Sequence, residues 1–143
     1  MKGSTPIGEL DHRHEPVMAP VIGRFLAAVE ARDAEAAGAC FAEDAMWANV
    51  PHPPVVGPAG VRDMLAPILA RSEWVRWDVV TAAHTPERSW LERVDRFGID
   101  GEEYAVACHG VVEVDPVRDL ITGVRDYVDL GEWRARLGAV LTL

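Results

Sequence analysis

Positive charge is scarce in this chain: 14 basic side chains stand against 23 acidic ones, a formal net charge of −9 over 143 residues. That balance opposes binding to a phosphate backbone, because nucleic-acid binders present a basic face. Cysteine is scarcer still. Cys40 and Cys108 have neither the number nor the spacing of a disulfide framework or a zinc site, and read as two free buried thiols. No apolar run approaches the roughly 18 residues of a membrane span. Met1 to Glu15 contain no basic segment followed by a long apolar stretch, so no secretory signal is visible and a cytoplasmic protein is expected. A covalent nucleophile is also missing: there is no Gly-x-Ser-x-Gly segment, and neither cysteine has an evident histidine partner. The five histidines are scattered, with His12 and His14 near the start and His52 among prolines, so no metal site is expected.

The residues that are present describe one globular unit with a real core, 49% apolar and 26% charged. Residues 1–15 lack periodicity and read as a mobile tail, leaving 16–143 as a single domain. Val17, Val21, Phe25, Ala28 and Val29 recur at helical spacing and predict a helix over Pro16 to Arg32. Asp33 is placed to cap a second short helix running through Phe41. Asp44 to Val50 reads as a strand, stopped by Pro51-His52-Pro53-Pro54, in which three of four residues lack an N–H donor. Gly57 and Pro58 lead into a helix from about Ala59 to Arg71 with an apolar stripe of Val61, Met64, Leu65, Ile68 and Leu69. Four long strands follow, Trp74 to Ala83, Arg88 to Phe97, Glu103 to Val114 and Arg118 to Leu130, separated by turn signals. They predict an antiparallel meander, closed by a short helix from Glu132 to Leu137. Helices segregated from a long-stranded sheet define the α+β class, and such a sheet must curl, enclosing an apolar cavity beneath its helices.

Certain polar residues interrupt the apolar faces of these strands. Side chains two apart on a strand share a face. Ser89, Leu91, Arg93, Asp95 and Phe97 therefore look one way, as do Thr122, Val124, Asp126, Val128 and Leu130. Buried charges are costly unless paired, so Arg93, Asp95 and Asp126 are expected to meet if these faces point inward. A guanidinium can donate to two carboxylates at once, and the pair can hold one shared proton between them. An acid and a base then coexist at neutral pH, suited to opening a strained ether by direct attack of water. Asn49 is placed to hold that water. The plainer readings are a surface ion pair for Arg93 and Asp95, a strand-end turn residue for Asn49, and a core residue for Trp47.

Read together, these stretches resemble the limonene-1,2-epoxide hydrolase family of the nuclear transport factor 2-like superfamily, over roughly Pro16 to Arg136. The segments carrying the resemblance are Met46-Trp47-Ala48-Asn49-Val50-Pro51-His52-Pro53-Pro54 with Gly57, Glu92-Arg93-Val94-Asp95, and Ile121 to Leu130 around Asp126. The resemblance implies a cone-shaped, curved, six-stranded mixed sheet with helices in its mouth, and cofactor-free addition of water to an epoxide. It assigns Asp126 as the base, Asn49 as a water holder, Arg93 as the bridge and Asp95 as the acid. Trp47, Leu91, Phe97 and Val128 would line the pocket for a small hydrophobic epoxide, alicyclic or terpenoid in character. A homodimer is the implied assembly. One position departs: where the family has a water-holding Tyr, this chain has Trp47, whose indole N–H donates but cannot accept. Proton abstraction beside a carbonyl, as in isomerases and cyclases of the same superfamily, is the alternative chemistry, and a non-catalytic binding module the alternative class.

Overall fold

A computed structural model describes residues 17–141. The expected tail, residues 1–15, and the predicted helix start at Pro16 lie outside them. Helix α1, Pro20–Glu30, starts four residues later than predicted because Pro20 takes the first helical turn, where its missing N–H costs nothing. It ends before Arg32, whose φ of 58° turns the chain out of the helix. Val21, Phe25, Ala28 and Val29 form its buried face. Helix α2, Ala34–Ala39, is capped as expected: Asp33 Oδ1 accepts from the Ala36 N–H at 2.9 Å.

Strand β1 spans Phe41–Asn49, so Phe41 belongs to a strand and not to the preceding helix. A partner distant in sequence decides this, since the Ile121 N–H donates to the Cys40 carbonyl at 2.9 Å and begins the pairing of β1 with the last strand. After the proline turn, Val55–Val56 form β2, a strand too short for alternation to signal, paired antiparallel with Met46 and Trp47. Gly57 then opens α3, Gly57–Arg71, at a φ of 70°; a Cβ there would lie 2.7 Å from the Glu43 carbonyl oxygen.

Strands β3 (Trp74–Thr85), β4 (Arg88–Ile99), β5 (Glu102–Asp115) and β6 (Leu120–Val128) form the expected antiparallel meander. The six-stranded sheet has the order β2-β1-β6-β5-β4-β3, and β1 runs parallel to β6, which makes the sheet mixed. Register shifts at Val79/Thr81, Glu113/Val114 and Phe41/Met46 add local twist to the curl. The shift between β5 and β6, where Glu113 and Val114 pair with Gly123 and Ile121 and Thr122 is the extra residue of β6, also explains why Ile121 is fully buried although it is out of phase with Val124 and Asp126. Helix α4, Leu130–Leu137, follows β6 directly, with Asp129 capping the Glu132 N–H at 3.0 Å. The fold is thus a curved mixed sheet with α1 to α3 against its inner face, α+β as expected. No helix among the described residues is long and apolar enough to cross a membrane.

Candidate active site

The inner face of β4 carries Ser89, Leu91, Arg93 and Phe97, all buried, and Asp95 beside them. On β6 the same face carries Val124, Asp126 and Val128. Strand β5 lies between, so the acid of β6 and the cation of β4 meet only by reaching across it. They do so above Gly110, which pairs with Leu91 on one side and Asp126 on the other. Arg93 donates to Asp126 through Nη1 to Oδ1 at 3.1 Å and Nη2 to Oδ2 at 2.8 Å. It donates to Asp95 through Nε to Oδ1 at 2.7 Å and Nη2 to Oδ2 at 3.2 Å. One guanidinium therefore holds two carboxylates, each in a bidentate fork. Its Cζ lies over the ring of Trp77, 4.6 Å from the centroid, and β3 places Trp77 opposite Asp95.

The side chains of Arg93 and Asp126 are each 4% exposed and that of Asp95 13%. Burial pushes the Asp95 carboxyl up to about 6, opposed by Arg93 and assisted by the nearby negative charge of Asp126. Burial works against the Arg93 charge, but Asp126 and Asp95 outweigh it and hold the guanidinium firmly protonated. The Cys108 thiol, on β5 opposite Arg93 and Val128, is pushed well up by burial and by Asp126, so it remains a neutral thiol.

Asn49 reaches the group through the parallel pairing of β1 and β6, in which it is the partner of Asp126. Its Nδ2 donates to Met64 Sδ at 3.5 Å. Trp47, one pleat earlier, is buried in an aromatic cluster, stacked on Phe41 at 5.8 Å and edge-on to Phe25 at 5.5 Å. The indole N–H groups of Trp47 and Trp77 are both buried with no acceptor among the described residues.

Asp95, Asp126, Asn49, Trp47, Phe97 and Val128 all border one cavity of about 300 Å³. Leu91 shares the face of Arg93 but is buried in the core and does not border the cavity. Several wall residues were not anticipated as such: Met64, Leu65 and Ile68 from α3, Trp77 from β3, His52 from the proline turn, and Trp133 and Arg134 from α4. The apolar stripe of α3 was visible in the sequence, yet which part of it packs and which part lines a void depends on how the helix sits on the sheet. Gly110 could have been noticed only as an isolated glycine inside a strand pattern.

A volume of this size is at the lower end for small-molecule sites and suits a compact ligand. Two carboxylates, one with a raised pKa, held by a fixed cation on a cavity wall can take up and deliver a proton.

Known proteins share this architecture. A protein with a ketosteroid isomerase-like fold from Catenulispora acidiphila, solved with trimethylamine, superposes with a TM-score of 0.71 at 21% identity, covering 85% of this chain and 95% of its own. A limonene-epoxide-hydrolase-like epoxide hydrolase of M. tuberculosis does so at 0.69 and 23% identity, covering 86% and 90%. A protein from Shewanella denitrificans described as a SnoaL-like polyketide cyclase gives 0.68 at 11% identity, covering 83% and 95%. These likenesses show the fold, which hosts more than one kind of chemistry. A profile of the SnoaL-like domain matches residues 22–124, from inside α1 to the β6 residue two before Asp126. With most of its length so matched, the chain belongs to the SnoaL-like domain family.

Proposed function

We propose that this protein hydrolyses an epoxide to a vicinal diol in one step, without a covalent intermediate or a cofactor. The observation that carries the reading is the double fork of Arg93, which fixes Asp95 and Asp126 on one cavity wall. Asp126 takes a proton from a water held with the help of the Asn49 side chain. The resulting hydroxide attacks one epoxide carbon, the C–O bond breaks, and Asp95, protonated on the acid side of about 6, donates its proton to the leaving oxygen. One proton is gained at Asp126 and one is lost at Asp95, so the net change is addition of one water. Return of a proton from Asp126 to Asp95 resets the pair. Arg93 keeps both carboxyl groups aimed at the substrate and stays charged throughout. Each proton-transfer group in such a site contributes roughly 10²- to 10⁴-fold to rate. The walls from Trp47, Met64, Ile68, Trp77, Phe97 and Val128 favour a hydrophobic ring system of modest size.

The direct test is diol formation from cyclic, aryl and terpenoid epoxides by the purified protein and by Asp126→Asn, with no added metal or cofactor. Diol from the first and none from the second supports the assignment. Diol from neither, or equal diol from both, overturns it.

A second reading, abstraction of the proton beside a carbonyl by one of the two carboxylates, is favoured by their setting in a largely apolar cavity. Proton–deuterium exchange at the α-carbon of a cyclic ketone, lost in Asp126→Asn, would favour that isomerase or cyclase chemistry over hydrolysis.

A further inference from the structure

The arginines of the described residues are heavily engaged, as a strongly acidic chain leads one to expect. Apart from Arg134, each is bound to a carboxylate, except Arg32, which donates to the Ser72 carbonyl at 2.8 Å. Arg134 has no carboxylate partner among the described residues. Its polar contact is with the imidazole of His52, with Nη2 3.5 Å from Nε2. The acid nearest to it along α4, Glu132, is taken by Arg136 at 2.6 Å. Asp129, at the start of the same helix, caps the Glu132 N–H. Among the described residues two guanidinium charges thus lack a carboxylate, Arg32 and Arg134, and of the two only Arg134 borders the cavity.

The cavity is graded from floor to mouth. Asp126 is buried at its floor, its charge absorbed by the equally buried Arg93. His52 and Arg134 are exposed and form its rim, and the apolar side chains of Met64, Leu65, Ile68 and Phe97 lie on the walls. A guanidinium at an open rim, beside an imidazole that can add a second donor, matches the planar two-oxygen face of a carboxylate. A wholly apolar substrate would leave that cation without a role in recognition.

We propose that Arg134 and His52 form an anion subsite, so that the substrate is amphipathic, with a carboxylate at the rim and its reactive ring among the apolar walls. This rests on the epoxide hydrolase reading for the reactive end, and on Arg134 and His52 alone for the charged end. Positional selectivity follows: the carboxylate at the rim fixes which ring edge faces Asp95 and Asp126.

The test compares 3,4-epoxycyclohexane-1-carboxylate with its carboxamide as substrates, in the wild type and in Arg134→Gln. The wild type is expected to favour the carboxylate about tenfold in kcat/KM, mainly through KM, as for one charge-assisted contact. Arg134→Gln should abolish that preference, and Arg134→Lys should retain part of it. Calorimetric binding of unreactive cyclohexanecarboxylate against cyclohexanecarboxamide measures the same preference without turnover. Preferential binding of the acid, lost in Arg134→Gln, with neither epoxide hydrolysed, supports the anion subsite and overturns epoxide hydrolysis. Hydrolysis of both epoxides with no advantage for the acid, or an advantage that persists in Arg134→Gln, overturns the anion subsite and leaves the hydrolase reading standing. Failure of the acid to bind better than the amide by calorimetry also overturns it.

Discussion

Gly110 lies directly beneath the contact between Arg93 and Asp126: a Cβ at position 110 would stand 2.6 Å from Asp126 Oδ1 and 2.5 Å from Arg93 Nη1. Real Cβ atoms do not approach so closely, so the bare backbone of β5 is what allows the two side chains to bridge over it. Gly110→Ala is therefore expected to push the fork apart, cutting hydrolysis by about 100-fold or more, with an overpacking cost of about 1–3 kcal/mol. Rates measured beside circular dichroism and thermal unfolding check this. A variant that keeps full kcat would show that the close approach is dispensable.

The raised pKa of Asp95 gives a pH profile with a definite sign. Asp95 must carry its proton to act as the acid, so kcat/KM should fall on the alkaline side, with a limb centred near 6. A profile flat from pH 5 to 9 would remove Asp95 from the acid role.

The same group links folding to pH. Its folded pKa, about 6, is above the ordinary carboxylate value of 3.8, so the native state binds the proton more tightly than the unfolded chain. That contribution is fully present below about pH 4 and is lost as pH rises through 6. Denaturant titrations of the wild type and Asp95→Asn should show the difference moving in the variant's favour across that window, by on the order of 1–3 kcal/mol. A difference independent of pH would contradict the raised pKa.

Arg93 compensates two buried acids, and its removal should strand them. Arg93→Met is expected to be destabilised by about 3–5 kcal/mol at neutral pH, the cost of breaking a buried pair from one side. Acidification protonates the stranded carboxyls, so part of the loss should return as pH falls towards 4. Equal stability of variant and wild type at pH 7 would mean that the forks contribute little.

Trp47 stands where the resemblance to the epoxide hydrolases implies a Tyr. Its N–H is buried without an acceptor among the described residues and cannot itself accept from a water. Trp47→Tyr restores an acceptor and is expected to raise kcat several-fold, about one neutral hydrogen bond. It should also lower the melting temperature, because stacking on Phe41 and edge contact with Phe25 and Trp77 are partly lost. An unchanged kcat would mean that position 47 does not contact the water.

Alternation along the strands was enough to place Arg93 and Asp95 on one face of β4 and Asp126 on the apolar face of β6, because a pleated strand turns each side chain by half a revolution. Capping by Asp33, the proline stop after Asn49 and the stripe of α3 were likewise local, written in residues a few positions apart. The parallel pairing that sets Asn49 beside Asp126 joins strands more than 70 positions apart, and no periodicity within either strand encodes it. The two-residue strand β2, the burial of Ile121 and the start of β1 at Phe41 depend on the same long-range hydrogen bonds and register shifts. The absence of a side chain at Gly110 matters only because β5 separates the cation from the acid. Trp77, Met64, Trp133, His52 and Arg134 come to border the same cavity as the carboxylates only through the curl of the sheet and the seating of α3 and α4 on it. Local chemistry in the sequence determined which residues are able to do the work; non-local pairing, whose register no short segment specifies, decided which of them share a cavity.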